Sequence, residues 1–190
     1  MIANDFRALV VFSVTLAIWA VLELILARRT NRNELVSTNR WSELAINAST
    51  VVAVIAALVL SSATSGRIRP PSAFALGIAM MAAGVAIRMA SAQSLGGSYT
   101  LIVGLQPGQE VCDRGLYRWV RHPGYAGTMI ALLGLGFALM SWYSVLAITL
   151  VVPALVARIA LEERMLTRAF APTYGAYCRR TRWRLLPGVI

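Results

Sequence analysis

The chain has 190 residues, of which 58% are hydrophobic and only 14% are charged, and its net charge is +10. A soluble domain carries about 25% charged residues, so this composition excludes an ordinary soluble protein and indicates exposure to lipid. One helical bundle uses the whole length, which excludes a second soluble domain.

The first part of the chain predicts three membrane-spanning helices. An apolar helix needs roughly 20 residues to cross a bilayer. Such stretches run over about 8–26, 44–63 and 72–92. A polar connector separates the first two, and Pro70-Pro71 interrupts the chain before the third because proline cannot continue a helix.

The second part predicts a loop, a helical hairpin and a tail. Residues 96–123 are polar, and the apolar run that follows is too long for one span. The aromatic pair Trp142-Tyr143 near its middle is typical of the membrane interface, which predicts a turn there and spans over 125–141 and 143–160. The tail, 161–190, has the apolar spacing of an amphipathic helix from Glu162 to Arg180, which Pro172 can break into two.

The basic residues, all arginines apart from one histidine, fit these five spans. The first connector (Arg28, Arg29, Arg32, Arg40), the loop and the tail then lie on one side of the membrane and hold most of them. The five spans predict an all-α integral membrane protein, which we expect in the bacterial inner membrane. The positive-inside rule predicts that its N-terminus lies outside and its C-terminus in the cytoplasm. The arginines lie beside apolar spans rather than on a polar face, so we expect no nucleic-acid partner, whereas attraction to anionic lipid headgroups stays open.

Cysteine usage predicts neither a metal site nor a disulfide. Cys112 and Cys178 are far apart, and the chain has no CxxC motif and only one histidine. We therefore expect two free thiols and no metal.

The predicted topology brings polar residues together at the cytoplasmic membrane surface. Arg88 and Arg158 end the third and fifth spans, where two guanidinium groups would suit a carboxylate or phosphate on a lipid-like molecule. They could equally reach to the interface or pair with an acid. These residues, together with the start of the fourth span and Glu162-Glu163, predict a single cleft.

The start of the fourth span is the Arg121-His122-Pro123 sequence. A residue before proline is kept out of helical geometry, and proline suits the first helical turn, so His122 points toward the cleft or caps the helix. Gly127 makes room for a ligand or for a neighbouring helix. Glu162 and Glu163 could hold an amino group or a sulfonium, or act as partners of a helix dipole.

An ordered set of motifs from Arg88 to the end resembles the isoprenylcysteine carboxyl methyltransferase family and the related phospholipid N-methyltransferases. The matching residues are Leu95-Gly96, Tyr99-Thr100, Gly115-Leu116-Tyr117-Arg118, Arg121-His122-Pro123, Tyr125, Gly127, Glu162-Glu163, Tyr174, Tyr177, Arg180-Thr181-Arg182 and Leu186-Pro187.

The resemblance implies S-adenosylmethionine in a cytoplasmic pocket and a lipophilic small-molecule or prenylated acceptor at the bilayer. The cofactor residues that it implies are Leu95, Gly96, Tyr99, Arg121, His122, Pro123, Tyr125, Gly127, Glu162 and Tyr177. Arg88 and Arg158 would lie near a substrate carboxylate.

The expected reaction is direct displacement at an activated methyl group, for which the protein mainly aligns the nucleophile. Arg88 and Arg158 would position a carboxylate, which needs no base, whereas a phenol or amine would need Glu163 or His122 as proton acceptor. Two alternatives stay open: an NADPH-dependent membrane reductase of the sterol reductase type, and a non-catalytic membrane protein with these charges as anchors.

Overall fold

The computed structural model describes residues 6–29, 37–38, 40–63 and 65–188. Helices form most of this part of the chain: α1 (Phe6–Arg29), α2 (Arg40–Leu60), α3 (Ser72–Leu95), α4 (Pro123–Ala138), α5 (Trp142–Ile148), α6 (Val152–Phe170) and α7 (Thr173–Arg180). The all-α prediction needs one addition, because β1 (Ser37–Thr38) pairs antiparallel with β2 (Gly104–Leu105) and thereby ties the first connector to the loop.

Long apolar helices make this an integral membrane protein. In the described part of the chain, four segments are long and apolar enough to cross a bilayer: Phe6–Arg28, Trp41–Leu60, Ser72–Ser98 and Trp142–Phe170. Large hydrophobic side chains on their outer faces, such as Val14, Ile18, Val52 and Ile55, are more than half exposed. Apolar surface of this extent requires lipid around it. The predicted fourth span corresponds to α4, which is apolar but only 16 residues long.

Several helix ends differ from the predicted ones. A single 3-10 turn, Thr149–Val151, joins α5 to α6, and α6 then runs past the predicted end at 160 to Phe170. The apolar spacing of Leu161 and Met165 keeps the helical period beyond that point, so the tail helix continues the span instead of starting anew. The predicted interruption at Pro172 separates α6 from α7. Arg32 and residues 189–190 of the predicted tail lie outside the described residues.

Helices α3 and α4 pack closely through glycine. A Cβ built on Gly127 would lie 2.6 Å from the carbonyl oxygen of Gly84, and one built on Gly134 would lie 2.7 Å from that of Gly77. Real Cβ atoms do not approach backbone atoms so closely. Small residues at these positions therefore allow the two backbones to touch, which is a common source of helix association in membranes.

The turn between α2 and α3 is hydrogen-bonded to the turn between α4 and α5, at the end of the bundle opposite to α7. The amide of Ile68 donates to the carbonyl of Met140 at 2.9 Å, and the amide of Trp142 donates to that of Gly66 at 2.8 Å. Ser141 caps α5 by accepting from the amide of Ser144. Between this end and the opposite one lies a core of mostly small and aliphatic residues: Phe12, Ala53, Ala57, Met81, Leu132, Leu135, Ala138, Ala147, Ile148 and Val151.

Candidate active site

Two cavities lie where α3 ends and α4 begins. The tail cavity, of about 90 Å³, is enclosed by the loop after α3 together with α6 and α7. The core cavity, of about 470 Å³, extends between α1, α2, α3, α4 and α6. Five residues line both of them: Leu95, Thr100, Tyr117, Tyr125 and Glu162. The two cavities therefore share a wall, and we use that term for these five residues.

The centre of the shared wall is the hydroxyl of Tyr125. It donates to Oε2 of Glu162 at 2.6 Å and accepts from Nε of Arg158 at 2.9 Å. Arg158 also donates from Nη2 to the carbonyl of Leu101, and its guanidinium carbon lies 5.7 Å from the centre of the Tyr125 ring. One tyrosine thus connects a guanidinium on the core side to a carboxylate that faces both cavities.

One nitrogen of the Arg158 guanidinium makes no hydrogen bond to the residues that the structure describes. Its side chain is only 4% exposed, yet its Nη1 is buried without a hydrogen-bond partner among the described residues. An unmade hydrogen bond of a buried charged group is costly, so this atom marks a place where a ligand oxygen would be stabilised.

Arg88 lies across the core cavity and is paired with an acid, although its buried Nε has no hydrogen-bond partner among the described residues. Its Nε lies 2.5 Å from Oε1 of Glu23, its Nη2 donates to Oε2 of the same carboxylate at 2.9 Å, and its Nη1 donates to the Thr128 hydroxyl at 2.9 Å. Of the two alternatives that the sequence left open for Arg88, the structure has it paired with an acid. That acid is on α1, so the first span contributes to the site.

A cluster of charged and polar side chains surrounds Glu163, the residue that follows Glu162 of the shared wall. Its carboxylate lies 3.0 Å from Nη1 of Arg121, 3.3 Å from Nε2 of His122 and 3.0 Å from Nη2 of Arg184. Backbone bonds run alongside, from the amide of Arg121 to the carbonyl of Trp183 at 2.9 Å and from the amide of His122 to that of Arg184 at 2.8 Å. Glu163 therefore fastens the chain after α7 to the start of α4.

Tyrosines form much of the tail cavity. The Tyr177 hydroxyl donates to the carbonyl of Tyr117 at 2.9 Å, and the Tyr117 hydroxyl lies 2.8 Å from that of Ser91. Burial raises the pKa of Tyr117 and of Tyr177, so both phenols stay neutral at physiological pH. Tyr174 completes the set, and its buried hydroxyl has no hydrogen-bond partner within the described residues.

The structure brings most of the predicted site residues to the two cavities. Those that line the tail cavity are Leu95, Arg121, Tyr125, Glu162 and Tyr177. Those that line the core cavity are Arg88, Leu95, Tyr99, His122, Tyr125, Arg158 and Glu162. His122 is 4% exposed and stacks on the Tyr125 ring at 5.6 Å between ring centres, so it supports the shared wall from the core side.

Four predicted site residues line neither of the two cavities: Gly96, Pro123, Gly127 and Glu163. Gly96 has a φ of 58° at the end of α3, a conformation that favours glycine. Pro123 occupies the first turn of α4. Gly127 contacts α3, which favours helix packing over ligand access as the reason for a small residue there.

Sequence reasoning missed other lining residues. Tyr117 and Tyr174 belong to the matching motifs, but neither was assigned to the site. Glu23 gave a signal of its own, since a carboxylate inside an apolar span is costly and usually has a partner. Trp19, on α1, and α2 residues such as Asn47 carried no signal, because only packing brings those helices to the cavity.

Comparison with known proteins finds a match to a region that contains part of this site. Residues 76–168 match the model of the "Isoprenylcysteine carboxyl methyltransferase (ICMT) family". Two relatives, from Oryza sativa subsp. indica and subsp. japonica, are each named "Probable protein-S-isoprenylcysteine O-methyltransferase". Each is 31% identical over 108 residues, covering 55% of this chain and 56% of the relative. The chain thus spans a little over half the length of these relatives.

Proposed function

Because residues 76–168 match the model of the isoprenylcysteine carboxyl methyltransferase family, we propose that the chain transfers a methyl group from S-adenosylmethionine to a lipophilic acceptor. The observation that carries this proposal is the shared wall. A transfer between two bound molecules requires two sites whose reacting atoms can meet in line, and two cavities separated by a few side chains provide that arrangement.

We assign the cofactor to the tail cavity, whose residues fit it chemically and whose volume of about 90 Å³ must increase when the cofactor binds. The Glu162 carboxylate offers a partner for a cationic amino group or sulfonium, and Arg121 offers a guanidinium for a carboxylate. The Tyr177 and Tyr174 rings offer flat surfaces for an adenine. The buried Nε of Arg121 and the Tyr174 hydroxyl lack partners among the described residues, and a polar ligand could satisfy both. When bound, this cofactor supplies a methyl group already activated by a sulfonium.

We assign the acceptor to the core cavity. Apolar side chains such as Trp19, Ile46 and Leu132 line much of it, whereas Arg88 and Arg158 lie at its polar end. A lipophilic acceptor would place its chain among the former and its reacting group against the shared wall. A prenylated cysteine is the first acceptor to test, because the two relatives carry that molecule in their names.

Arg158 and residues of the shared wall would together position the reacting group. Arg158 would hold an acceptor oxygen with Nη1, and its bond to Tyr125 fixes the guanidinium in place. If the acceptor is a phenol, amine or thiol, a proton must leave it. Glu162 faces both cavities, whereas Glu163 is neutralised by cations, so Glu162 takes the role of proton acceptor that the sequence suggested for Glu163 or His122.

The orientation in the membrane is part of the proposal. We propose that α4 crosses the bilayer as a fifth span, which places the site, α7 and the C-terminus on the cytoplasmic side of a bacterial inner membrane. The arginines before α2, in the loop and in the tail would then share that side.

Ligand-dependent stability tests the proposal directly. A ligand that binds only the native state raises its apparent stability by mass action, so we expect S-adenosylhomocysteine to raise the Tm of the purified chain in detergent. NADPH serves as the control. A shift with NADPH alone would overturn the proposal and favour a reductase, and a shift with neither would overturn the assignment of the tail cavity. Labelled methyl transfer to an S-farnesylated cysteine then tests the acceptor.

A further inference from the structure

An open groove beside α6 contains arginines that the proposed reaction does not use. The groove has a volume of about 450 Å³, and it is lined by Ala160, Glu163, Arg164, Thr167, Arg168 and Arg184. We call it the arginine groove. Arg164 and Arg168 are exposed, and neither forms an ion pair or a hydrogen bond with the part of the chain that the structure describes. Two guanidinium groups in the groove are therefore available to an anion.

The charges of the groove favour an anion between them. Arg164 and Arg168 are four residues apart on α6, so their side chains are neighbours on the helix surface, where like charges repel. Arg184 reaches the groove from the tail. Glu163 holds its Nε at 3.1 Å and its Nη2 at 3.0 Å, which leaves Nη1 without a partner among the described residues. Because three arginines and one glutamate line the groove, its net charge is positive.

The groove continues the face of α6 that lipid covers. Ala157 is exposed on the apolar part of this helix. At 100° per residue, Arg164 and Arg168 lie within about 20° of Ala157 around the helix axis, because they follow it by seven and eleven residues. The exposed side of α6 thus changes from apolar to cationic along a single face of the helix.

The depth of the groove matches the headgroup layer of a bilayer. Leu161 is the last apolar residue before the charged pair Glu162-Glu163. At 1.5 Å per residue, Arg164 lies about 5 Å and Arg168 about 10 Å beyond it along the helix. The headgroup layer outside the hydrocarbon core is about 5–8 Å thick on each side of a bilayer. The two arginines are therefore at the level where phospholipids carry their phosphate groups.

We propose that the arginine groove binds the headgroup of an anionic phospholipid. The phosphate would contact the three guanidinium groups, and the acyl chains would lie along the exposed face of α6 that contains Ala157. Basic pockets at the membrane surface bind anionic headgroups in this way. A zwitterionic lipid fits less well, because its ammonium group would meet the same three cations. The inference depends neither on methyl transfer nor on which side of the membrane contains the groove.

Binding of single lipids to the full chain in detergent tests the proposal. Native mass spectrometry would give the Kd of phosphatidylglycerol and of phosphatidylcholine with the same acyl chains. We expect phosphatidylglycerol to bind the wild type about tenfold more tightly than phosphatidylcholine does. Arg164→Gln and Arg168→Gln should each weaken phosphatidylglycerol about fivefold, and the double variant more than tenfold, because each arginine near an anionic headgroup contributes a factor of about five. An unchanged Kd in the double variant would overturn the proposal.

A matched double variant makes the test specific. Arg118→Gln with Arg179→Gln removes the same charge from two exposed arginines that line neither the groove nor the two cavities. We expect it to bind phosphatidylglycerol like the wild type. An equal loss in the two double variants would reveal general attraction to a basic surface and would contradict a defined site.

Two further measurements identify the source of the phosphate. Equal affinity of the wild type for phosphatidylglycerol and phosphatidylcholine would contradict selection by the charge of the headgroup. Inorganic phosphate at the concentration of the lipid should leave phosphatidylglycerol bound, because it lacks the acyl chains that contact α6. Displacement of the lipid by an equal concentration of inorganic phosphate would show a site for free anions and would overturn the assignment to a lipid.

Discussion

The hydroxyl of Tyr125 is the most informative single group to remove. It donates to Glu162 at 2.6 Å and accepts from Arg158 at 2.9 Å, so Tyr125→Phe takes a hydrogen bond from each of two charged groups while it preserves the ring. A hydrogen bond to a charged group contributes about 1.5–3 kcal/mol, and two at the lower end give about 3 kcal/mol. If the transition state needs both groups in place, transfer should slow on the order of a hundredfold, at about 1.4 kcal/mol per factor of ten.

A matched variant separates this effect from a general loss of tyrosine hydroxyls. The Tyr143 hydroxyl lies at the opposite end of the bundle, 3.3 Å from that of Ser65, in an exposed position. We expect Tyr143→Phe to retain wild-type kcat/KM. The assay is transfer of a labelled methyl group to the best acceptor, with the Tm of each variant measured in parallel. If Tyr125→Phe stays within about threefold of the wild type, its hydroxyl does not organise the transition state and the shared wall loses its central role.

Two further predictions concern packing and the tail, each with a matched control. Gly84→Ala should lower the Tm in detergent by the equivalent of about 1–3 kcal/mol, because its new methyl group would collide with the α4 backbone. Gly97→Ala should leave the Tm unchanged, because a Cβ there would meet nothing within 4 Å. An equal Tm for the two variants would contradict the close contact of α3 and α4. Glu163→Gln should speed tryptic cleavage at Arg184, because Arg121, Arg184 and His122 lose their common carboxylate. Asp113→Asn breaks an ion pair whose side chains are both more than half exposed, and it should leave the cleavage rate unchanged. Equal cleavage rates in the two variants would show that Glu163 does not hold the tail to α4.

Hydropathy and charge predicted the helices well, because lipid exposure imposes long apolar runs that can be counted. The same reasoning misplaced the end of the helix that contains the predicted fifth span. It took Glu162-Glu163 as the start of a new element, although the helix runs through both residues to Phe170. A charge ends the apolar stretch of a helix at the membrane surface without ending the helix itself, so span and helix are different quantities.

The candidate site was predictable where local sequence carries the geometry. His122 before Pro123 and the nearby Tyr125 lie close together in the chain, and both line the core cavity. Glu162 and Glu163 show the limit of such reasoning. Adjacent residues on a helix point about 100° apart, so one lines both cavities and the other turns to the tail, and the sequence could not say which.

Contacts between distant spans were beyond the reach of the sequence. The Glu23–Arg88 pair joins residues 65 positions apart on helices whose rotation about their axes is set by packing. The glycines of α3 and α4 fix that rotation for one pair of helices, but α1 has no comparable feature in its sequence. Its contribution to the core cavity therefore emerged only from the structure.

The backbone bonds between the two far turns have a consequence for how molecules enter. They hold α2 and α3 to α4 and α5 at that end, through Ile68 and Trp142, and the glycine contacts hold α3 against α4 along their length. A lipophilic molecule that arrives from the bilayer must pass between helices. At the end that contains the site, α1 is joined to α3 by the partly exposed Glu23–Arg88 pair, and the first connector is joined to the loop by the β1–β2 pairing. Because backbone bonds fix the far turns, we expect the helices to separate for such a molecule at the end that contains the site.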